Sequence, residues 1–321
     1  MNIDELCGWS NKPDEVDKVL STLPHPLFGA ASADLPLDTS KEVFLWDYVR
    51  AVIKTDVPKG PQGIGDCVSW AWSNLVNYVA CIQIFQQLKS NKLIKIAGGI
   101  PTIKTVNEIT EDEAYLLKSV LEEYQECATE ALYALCRCEV GGQWNSYQDG
   151  AVGAWAAKAV STLGTLSRKV VGPYDKQRAK QWGAKGLPDD LEPTAKQHLI
   201  KTVSKVTSFE EAVVAIQNGY PVAVCSNRGF TMKRDGQGFC SPDGTWYHAM
   251  LFMANRWDRP GLCCSQSWGQ NTPSGPVIKG QPDNTFWVDA KVVDYMLRQN
   301  DSFSGSQFDG YESQDLLTWY H

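Results

Sequence analysis

The sequence predicts an α+β protein of two lobes, and three observations carry that prediction. Apolar residues recur at helical spacing through the first half of the 321-residue chain, whereas alternating and apolar runs of strand length follow residue 200. Between the two, the chain changes character at Pro173-Tyr174-Asp175 and passes a polar stretch to His198. A helical half followed by a strand-rich half is the pattern of segregated α+β architecture. The expected organisation is an extended N-terminal arm over residues 1–40, a helical lobe over 41–175 and a β-rich lobe over 176–321.

Each element has its own local reason. The arm contains Pro13, Pro24, Pro26 and Pro36 and the small-residue run Gly29 to Ala33, which leaves room for one short helix at most, near Asp14 to Leu23. Glu42 to Lys54 is richer in aromatic and β-branched residues and leads through Asp56 to Pro61 into a glycine turn. A helix runs from about Cys67 to Leu88, with Trp70, Leu75, Tyr78, Val79, Ile82 and Phe85 as its buried stripe. The capping box Thr110-Glu-Asp-Glu113 opens a second helix, which extends as far as Leu135 unless a break falls within Cys127 to Ala131. A third runs from about Gln148 to Leu163, with Gly164 as its C-terminal cap. Lys176 to Lys185, four basic residues around Trp182, reads as a solvated linker face. Lys201 to Val206 alternates as a strand, Ser208-Phe-Glu-Glu211 caps a short helix to Asn218, and Val222 to Cys225 is an apolar strand. Trp246 to Ala254, Gly261 to Ser267 and Thr285 to Asp289 complete the strands.

Composition excludes several classes. A net charge of -7 argues against a general nucleic-acid surface, which needs clustered Lys and Arg. No stretch approaches the roughly 18 apolar residues of a membrane span, and the start Met1 to Leu6 is acidic where a secretory signal would be basic. A reducing cytoplasm, or packaging from it into a virion if the source is a phage, is the expected location. The ten cysteines form no pattern of two close pairs suited to zinc, so no metal and no cofactor is expected.

Cys67 stands out among them. It follows Gly63-Ile64-Gly65-Asp66 at the start of a helix, where unpaired N–H groups and the macrodipole favour a thiolate. A nucleophilic cysteine needs a base, and the chain has four histidines: His25 in the arm, His198 in a polar stretch, His321 at the last position, and His248. Only His248 lies in an apolar strand-like run, where a sheet would fix its ring. Ser265-Gln266-Ser267-Trp268-Gly269 follows and offers an amide to orient the ring and an indole to shield it.

These segments, in this order, resemble the papain-like cysteine peptidases. Gln62-Gly63-Ile64-Gly65-Asp66-Cys67 resembles the family's nucleophile block, Gly141-Gly142 its substrate-binding loop, and Gly172-Pro173-Tyr174 its Tyr-Pro-Tyr region. His248-Ala249 resembles the catalytic His-Ala, and Gln266-Ser267-Trp268-Gly269 the Asn-Ser-Trp-Gly block. The resemblance implies a two-lobe fold with a helical N-terminal lobe and an antiparallel β-barrel-like C-terminal lobe. It implies a cysteine endopeptidase in which a thiolate-imidazolium pair of Cys67 and His248 cuts polypeptide substrates. In it Gln62 holds the oxyanion, Gln266 orients the imidazole, Trp268 keeps that contact dry, and Gly141 and Gly142 pair with an extended substrate.

The chain departs from the family in places. Gln62 lies one residue closer to the cysteine than usual, Gln266 replaces Asn, and Cys67 and His248 are 181 residues apart (248 minus 67) against roughly 130–150. Gly65 occupies the neighbourhood of a family half-cystine and leaves Cys138 without a mate. These departures keep open a weakened structural or virion-assembly protein of the same fold, and the Cys-His pair would also suit a cell-wall amidase. The arm, shorter than a usual inhibitory prosegment, is expected to occlude the cleft or dock assembly partners.

Overall fold

The computed structural model describes residues 5–97, 100–314 and 316; His321 lies outside them. The N-terminal arm folds more than its composition predicts. Pro13, in the first turn where a missing N–H costs nothing, begins helix α1 (Pro13–Leu20), and one further turn forms α2 (Phe28–Ala31). Val16, Val19 and Phe28 are buried, so this segment is part of the core.

Strand β1 (Val43–Phe44) leads directly into α3 (Leu45–Ile53), which ends on Lys54 in the left-handed region. Helix α4 (Cys67–Ser90) begins where the sequence predicts. Its predicted stripe is buried, and so are Ser69, Ser73, Asn74 and Asn77 on the other faces. A helix buried all round is the axis of a domain rather than its surface. Two of these polar side chains fasten loops: Asn77 Oδ1 accepts from the Cys127 N–H at 2.8 Å, and Asn74 Nδ2 donates to Pro58 O at 3.1 Å.

A hairpin of β2 (Ile94–Ala97) and β3 (Ile100–Ile103) follows, unforeseen in the sequence. The predicted capping box starts α5 (Glu111–Glu122), with the Glu113 N–H donating to Thr110 Oγ1 and the Thr110 N–H to Glu113 Oε2. The break comes earlier than the sequence suggests, over 123–128 rather than within Cys127 to Ala131, and α6 (Thr129–Ala134) passes into a π turn over Leu135–Val140. Helix α7 (Gly153–Thr162) starts later than Gln148, because Ala151 is extended and pairs with another segment.

After α8 (Arg168–Val171), the stretch expected as solvated linker is a helix, α9 (Lys176–Lys185). Asp175 caps it by accepting from the N–H groups of Gln177 and Arg178. Arg168 and Arg178 both bond the carboxylate of Glu130, which is fully buried on α6. That shared anion draws α9 onto the helical lobe. A short α10 (Glu192–Ala195) ends this region.

The strand-rich region runs β4 (Thr202–Lys205), α11 (Phe209–Gln217), β5 (Val222–Arg234), β6 (Cys240–Arg256), β7 (Gly261–Ser265), β8 (Thr285–Asp289), α12 (Ala290–Leu297) and β9 (Phe303–Ser306). Its antiparallel sheet has the order β4-β9-β5-β6-β7-β8, with β1 added to β6. Strands β5 and β6 are longer than predicted and bend at register shifts beyond Ser226. No ladder joins β4 to β8 among the described residues, so the sheet curls without closing into a barrel. Helix α4 packs along β6, which brings its first residue to the strand carrying His248.

Candidate active site

The turn before α4 is held from outside by Tyr174. Its hydroxyl accepts from the Gly63 N–H at 3.2 Å and donates to Asp66 Oδ2 at 2.9 Å. Asp66 is fully buried, and burial raises its carboxyl well above the usual range. Cys67 follows with no exposed surface, and its Sγ accepts from two main-chain N–H groups, Gly8 at 3.3 Å and Ala249 at 3.4 Å. Ala249 is the neighbour of His248, so the contact ties the sulfur to the histidine strand.

The His248 ring is buried against Trp268, with centroids 4.6 Å apart and planes 33° from parallel, and Trp246 packs behind the indole at 4.8 Å. Neither ring nitrogen has a hydrogen-bond partner among the described residues. Burial pushes the imidazole down to about 3 and the Cys67 thiol up to about 12, the two N–H donors offsetting only part of the latter. The helix start alone therefore does not make a thiolate here. While the two groups are covered, burial favours the neutral form of each.

The arm is part of the cover over Cys67. Leu6 lies in a turn, and Gly8, Trp9 and Ser10 pass beside Cys67, with Trp9 in an isolated bridge. The Trp9 N–H donates to Tyr247 O at 2.9 Å, the Ala151 N–H to Gly8 O at 2.8 Å and the Ser10 N–H to Ala151 O at 2.9 Å, a parallel bridge between Trp9 and Ala151. Gln62 Nε2 donates to Leu6 O at 2.6 Å and to Ile64 O at 2.8 Å, while its Oε1 accepts from Ser267 Oγ at 2.7 Å. The shorter spacing from Gln62 to Cys67 thus leaves its amide aimed at a peptide carbonyl. What faces Sγ, however, is the Gly8 N–H, a donor and not a carbon to attack.

Glycines make this approach possible. A Cβ on Gly8 would lie 1.8 Å from Gly65 O, and one on Gly150, where φ is +111°, would lie 2.8 Å from Gly8 O. The main chain that pairs with an extended segment is therefore Gly150-Ala151, at the start of α7. Gly141 and Gly142 belong to the end of the π turn: a Cβ on Gly141 would strike the Trp155 ring, and Gly142 has open space around it. Their N–H groups bond Cys136 O and Cys138 O within the helical lobe, whereas it is Ala151 that pairs with the arm.

Gln266 also stands differently from expectation. Its Nε2 donates to Asn271 O at 2.7 Å and its Oε1 accepts from the Trp268 N–H at 2.8 Å, so both ends of the amide shape the loop that carries the indole. It orients Trp268 over the ring rather than bonding the imidazole. Cys138, the expected unpaired cysteine, is a thiol near Trp182 O and Gly183 O. Among the described residues no cluster of three or more His, Cys, Asp or Glu side chains could hold a metal, and no helix is long and apolar enough to cross a membrane.

Sequence reasoning missed Gly8, Trp9, Tyr174 as a support, Ala151 and Asp301. Asp301, fully buried in the loop after α12, accepts from Trp9 Nε1, the Gly153 N–H and the Ala154 N–H, each at 2.7 Å. The pair Gly150-Ala151 immediately before a helix was the one available signal.

No protein-family model matches the chain, and no curated protein is a significant match in sequence. Solved structures do match. Xylellain, a cysteine protease from Xylella fastidiosa, is similar over 95% of this chain and 97% of its own, with a TM-score of 0.57 at 14% identity. ProCathepsin B S9 from Trypanosoma congolense covers 94% and 87%, with a TM-score of 0.56 at 9% identity. A recombinant stem bromelain precursor covers 95% and 78%, with a TM-score of 0.51 at 14% identity. At such identities the likeness is one of architecture: the chain has the two-lobe fold of the papain-like cysteine proteases.

Proposed function

We propose that the protein is a cysteine peptidase, with Cys67 as nucleophile and His248 as its acid-base partner, held latent by residues 6–10 of its own chain. The observation that carries this reading is the peptide already lying in the cleft, with a carbonyl on the Gln62 amide and its main chain paired to Ala151 and Tyr247. A cleft that binds an extended main chain through main-chain partners binds polypeptide with little regard to sequence.

Once the arm leaves, water reaches Cys67 and His248 and the desolvation that keeps both neutral is relieved. The Cys67 proton passes to His248, and the thiolate attacks the carbonyl carbon of a substrate lying in the vacated groove. The oxyanion is received by Gln62 Nε2 and the Cys67 N–H. His248 gives its proton to the departing amine, and then takes one from the water that hydrolyses the thioester. Trp268 holds the imidazole face throughout, and Gln266 holds Trp268.

The test is alkylation and peptide hydrolysis by the full chain, by a variant with residues 1–10 deleted, which keeps the buried α1 and α2, and by Cys67→Ala and His248→Ala. Deletion should raise both the labelling of Cys67 and the cutting of an unfolded protein substrate, and both point variants should abolish the cutting. A deleted chain that is folded, labels Cys67 readily and cuts no polypeptide would instead favour the structural reading of the fold. Unchanged labelling and unchanged activity on deletion would leave the arm neither occluding nor inhibitory.

A further inference from the structure

Cys67 opens α4, and further along the same helix Val76, Ala80 and Gln83 form one wall of a cavity of about 470 Å³. At 1.5 Å per residue these positions lie about 14–24 Å along the axis from Cys67, so the cavity is separate from the catalytic cleft. Its other walls include Leu166 and Ser167, just before α8, and the segment from Lys196 to Lys201 that joins α10 to β4. That segment is pinned to the helical half of the chain. Thr165 Oγ1 donates to His198 O at 3.2 Å and the Ile200 N–H to Val160 O at 2.9 Å. Gly164, at φ +86°, lets the segment pass, since a Cβ there would lie 1.9 Å from Ala195 O.

Lysines elsewhere in the chain sit on carboxylates: Lys59 on Asp283, Lys95 on Glu108, Lys180 on Asp149 and Lys279 on Glu42. Among the described residues Lys196, His198 and Lys201 have neither an ion pair nor a side-chain hydrogen bond, and Glu123 is the one acid in the lining. Two ammonium groups against one carboxylate make the cavity cationic, in a chain whose net charge is -7. Ser167 is the second sign of a ligand. An antiparallel bridge holds it beside Cys127; the residue is 6% exposed, and its Oγ has no partner among the described residues. A buried hydroxyl left without a partner calls for a reason. Gln83, Gln125 and Gln307 also line the cavity with no side-chain hydrogen bond among the described residues, and each amide offers both a donor and an acceptor. We infer that the cavity is a binding site for a small organic acid with a hydroxylated body, a sugar phosphate or a sugar acid. Its anionic group pairs with Lys196 and Lys201, and its hydroxyls meet Ser167 and the glutamines. The volume lies within the roughly 300–1,000 Å³ that holds ligands of this size. The inference does not depend on the peptidase reading.

Titration calorimetry of the full chain with glucose 6-phosphate, gluconate, inorganic phosphate and glucose tests it. At least one of the two acids should bind with a Kd below about 1 mM, and which one does so tells phosphate from carboxylate. Glucose lacks the anion and inorganic phosphate lacks the hydroxylated body, so each should bind at least about tenfold more weakly than that acid. Lys196→Gln combined with Lys201→Gln changes two exposed side chains, so the urea midpoint of the free protein should stay where it is while the affinity for the acid falls about 10- to 100-fold. Ser167→Ala should lower that affinity about tenfold and leave the affinity for inorganic phosphate unchanged. Absence of saturable binding by either acid up to about 10 mM would overturn the inference. So would an affinity that glucose or inorganic phosphate equals, or one that survives the loss of both lysines.

Discussion

Gly8→Ala is the smallest change that separates an arm merely lying near Cys67 from one that controls it. The added Cβ would sit 1.8 Å from Gly65 O, 2.4 Å from Gly65 C and 2.8 Å from Gly65 Cα, all main-chain atoms of the turn that delivers the nucleophile. That turn has little room to retreat, since a Cβ on Gly65 would itself lie 2.9 Å from Asp149 Cβ. Overpacking of this kind costs about 1–3 kcal/mol, and the cost falls on the seated arm alone. The population with the arm released should rise about 5- to 150-fold, because each 1.4 kcal/mol is a factor of ten. The gain in unfolded-state rigidity from replacing glycine is smaller, at most about 1 kcal/mol, and does not reverse the sign. Iodoacetamide labelling read by mass spectrometry measures the effect at each cysteine separately. Cys67 should label faster by that factor while the core thiols Cys263 and Cys264, also fully buried, stay protected. Unchanged labelling of Cys67 in a folded Gly8→Ala chain would refute the idea that burial by the arm suppresses its chemistry. Equal acceleration at all three would mean general unfolding and would refute it equally.

Three further outcomes follow from the same geometry. Gln62→Ala in the Gly8→Ala background should lower kcat for peptide hydrolysis by about a hundredfold or more, with alkylation of Cys67 by a small reagent little changed, because the amide acts on the oxyanion and not on the sulfur. Glu130→Gln should destabilise the fold by about 3 kcal/mol in urea unfolding, since it leaves Arg168 and Arg178 facing a neutral group in a buried setting. His248 and Asp301 should give opposite pH slopes. The histidine is held near 3, below its ordinary 6.5, so its contribution to stability is present above pH 6.5 and is lost as pH falls toward 3. Asp301 is raised to about 7 from 3.8, so its contribution is full below pH 3.8 and is lost as pH rises through 7. Comparing urea unfolding at pH 4 and pH 7, His248→Leu should gain on the wild type at the lower pH and Asp301→Asn at the higher.

Much of this architecture was legible because it depends on local periodicity. The start of α4 at Cys67, the capping box at Thr110 and strand β8 are local patterns, and they stand where the spacing places them. The approach of Cys67 to the His248 strand was legible for a different reason: few histidines were available and only one lay in an apolar strand. What escaped notice depends on contacts distant in sequence. Lys176 to Lys185 looks solvated until Glu130, 48 residues before Arg178, is seen to lie beneath it. Gly8 is one small residue in a polar arm, and nothing around it announces that Gly65 will leave it no room for a side chain. The upward shift of the Cys67 thiol has the same origin, since a helix start favours a thiolate only where water or a partner charge supports it. Gln266 was assigned to the imidazole by its place in the block, whereas Asn271, five residues on, takes its amide.

The claim that Cys67 and His248 form a working pair is tested most directly by the pH dependence of Cys67 alkylation in the Gly8→Ala chain, with and without His248→Ala. A pair that ionises together once uncovered keeps the sulfur reactive well below pH 6, and loss of the histidine returns the midpoint to the ordinary thiol range near 8.5. The same single rise near pH 8.5 in both chains would mean that His248 does nothing for the sulfur, and would contradict the account.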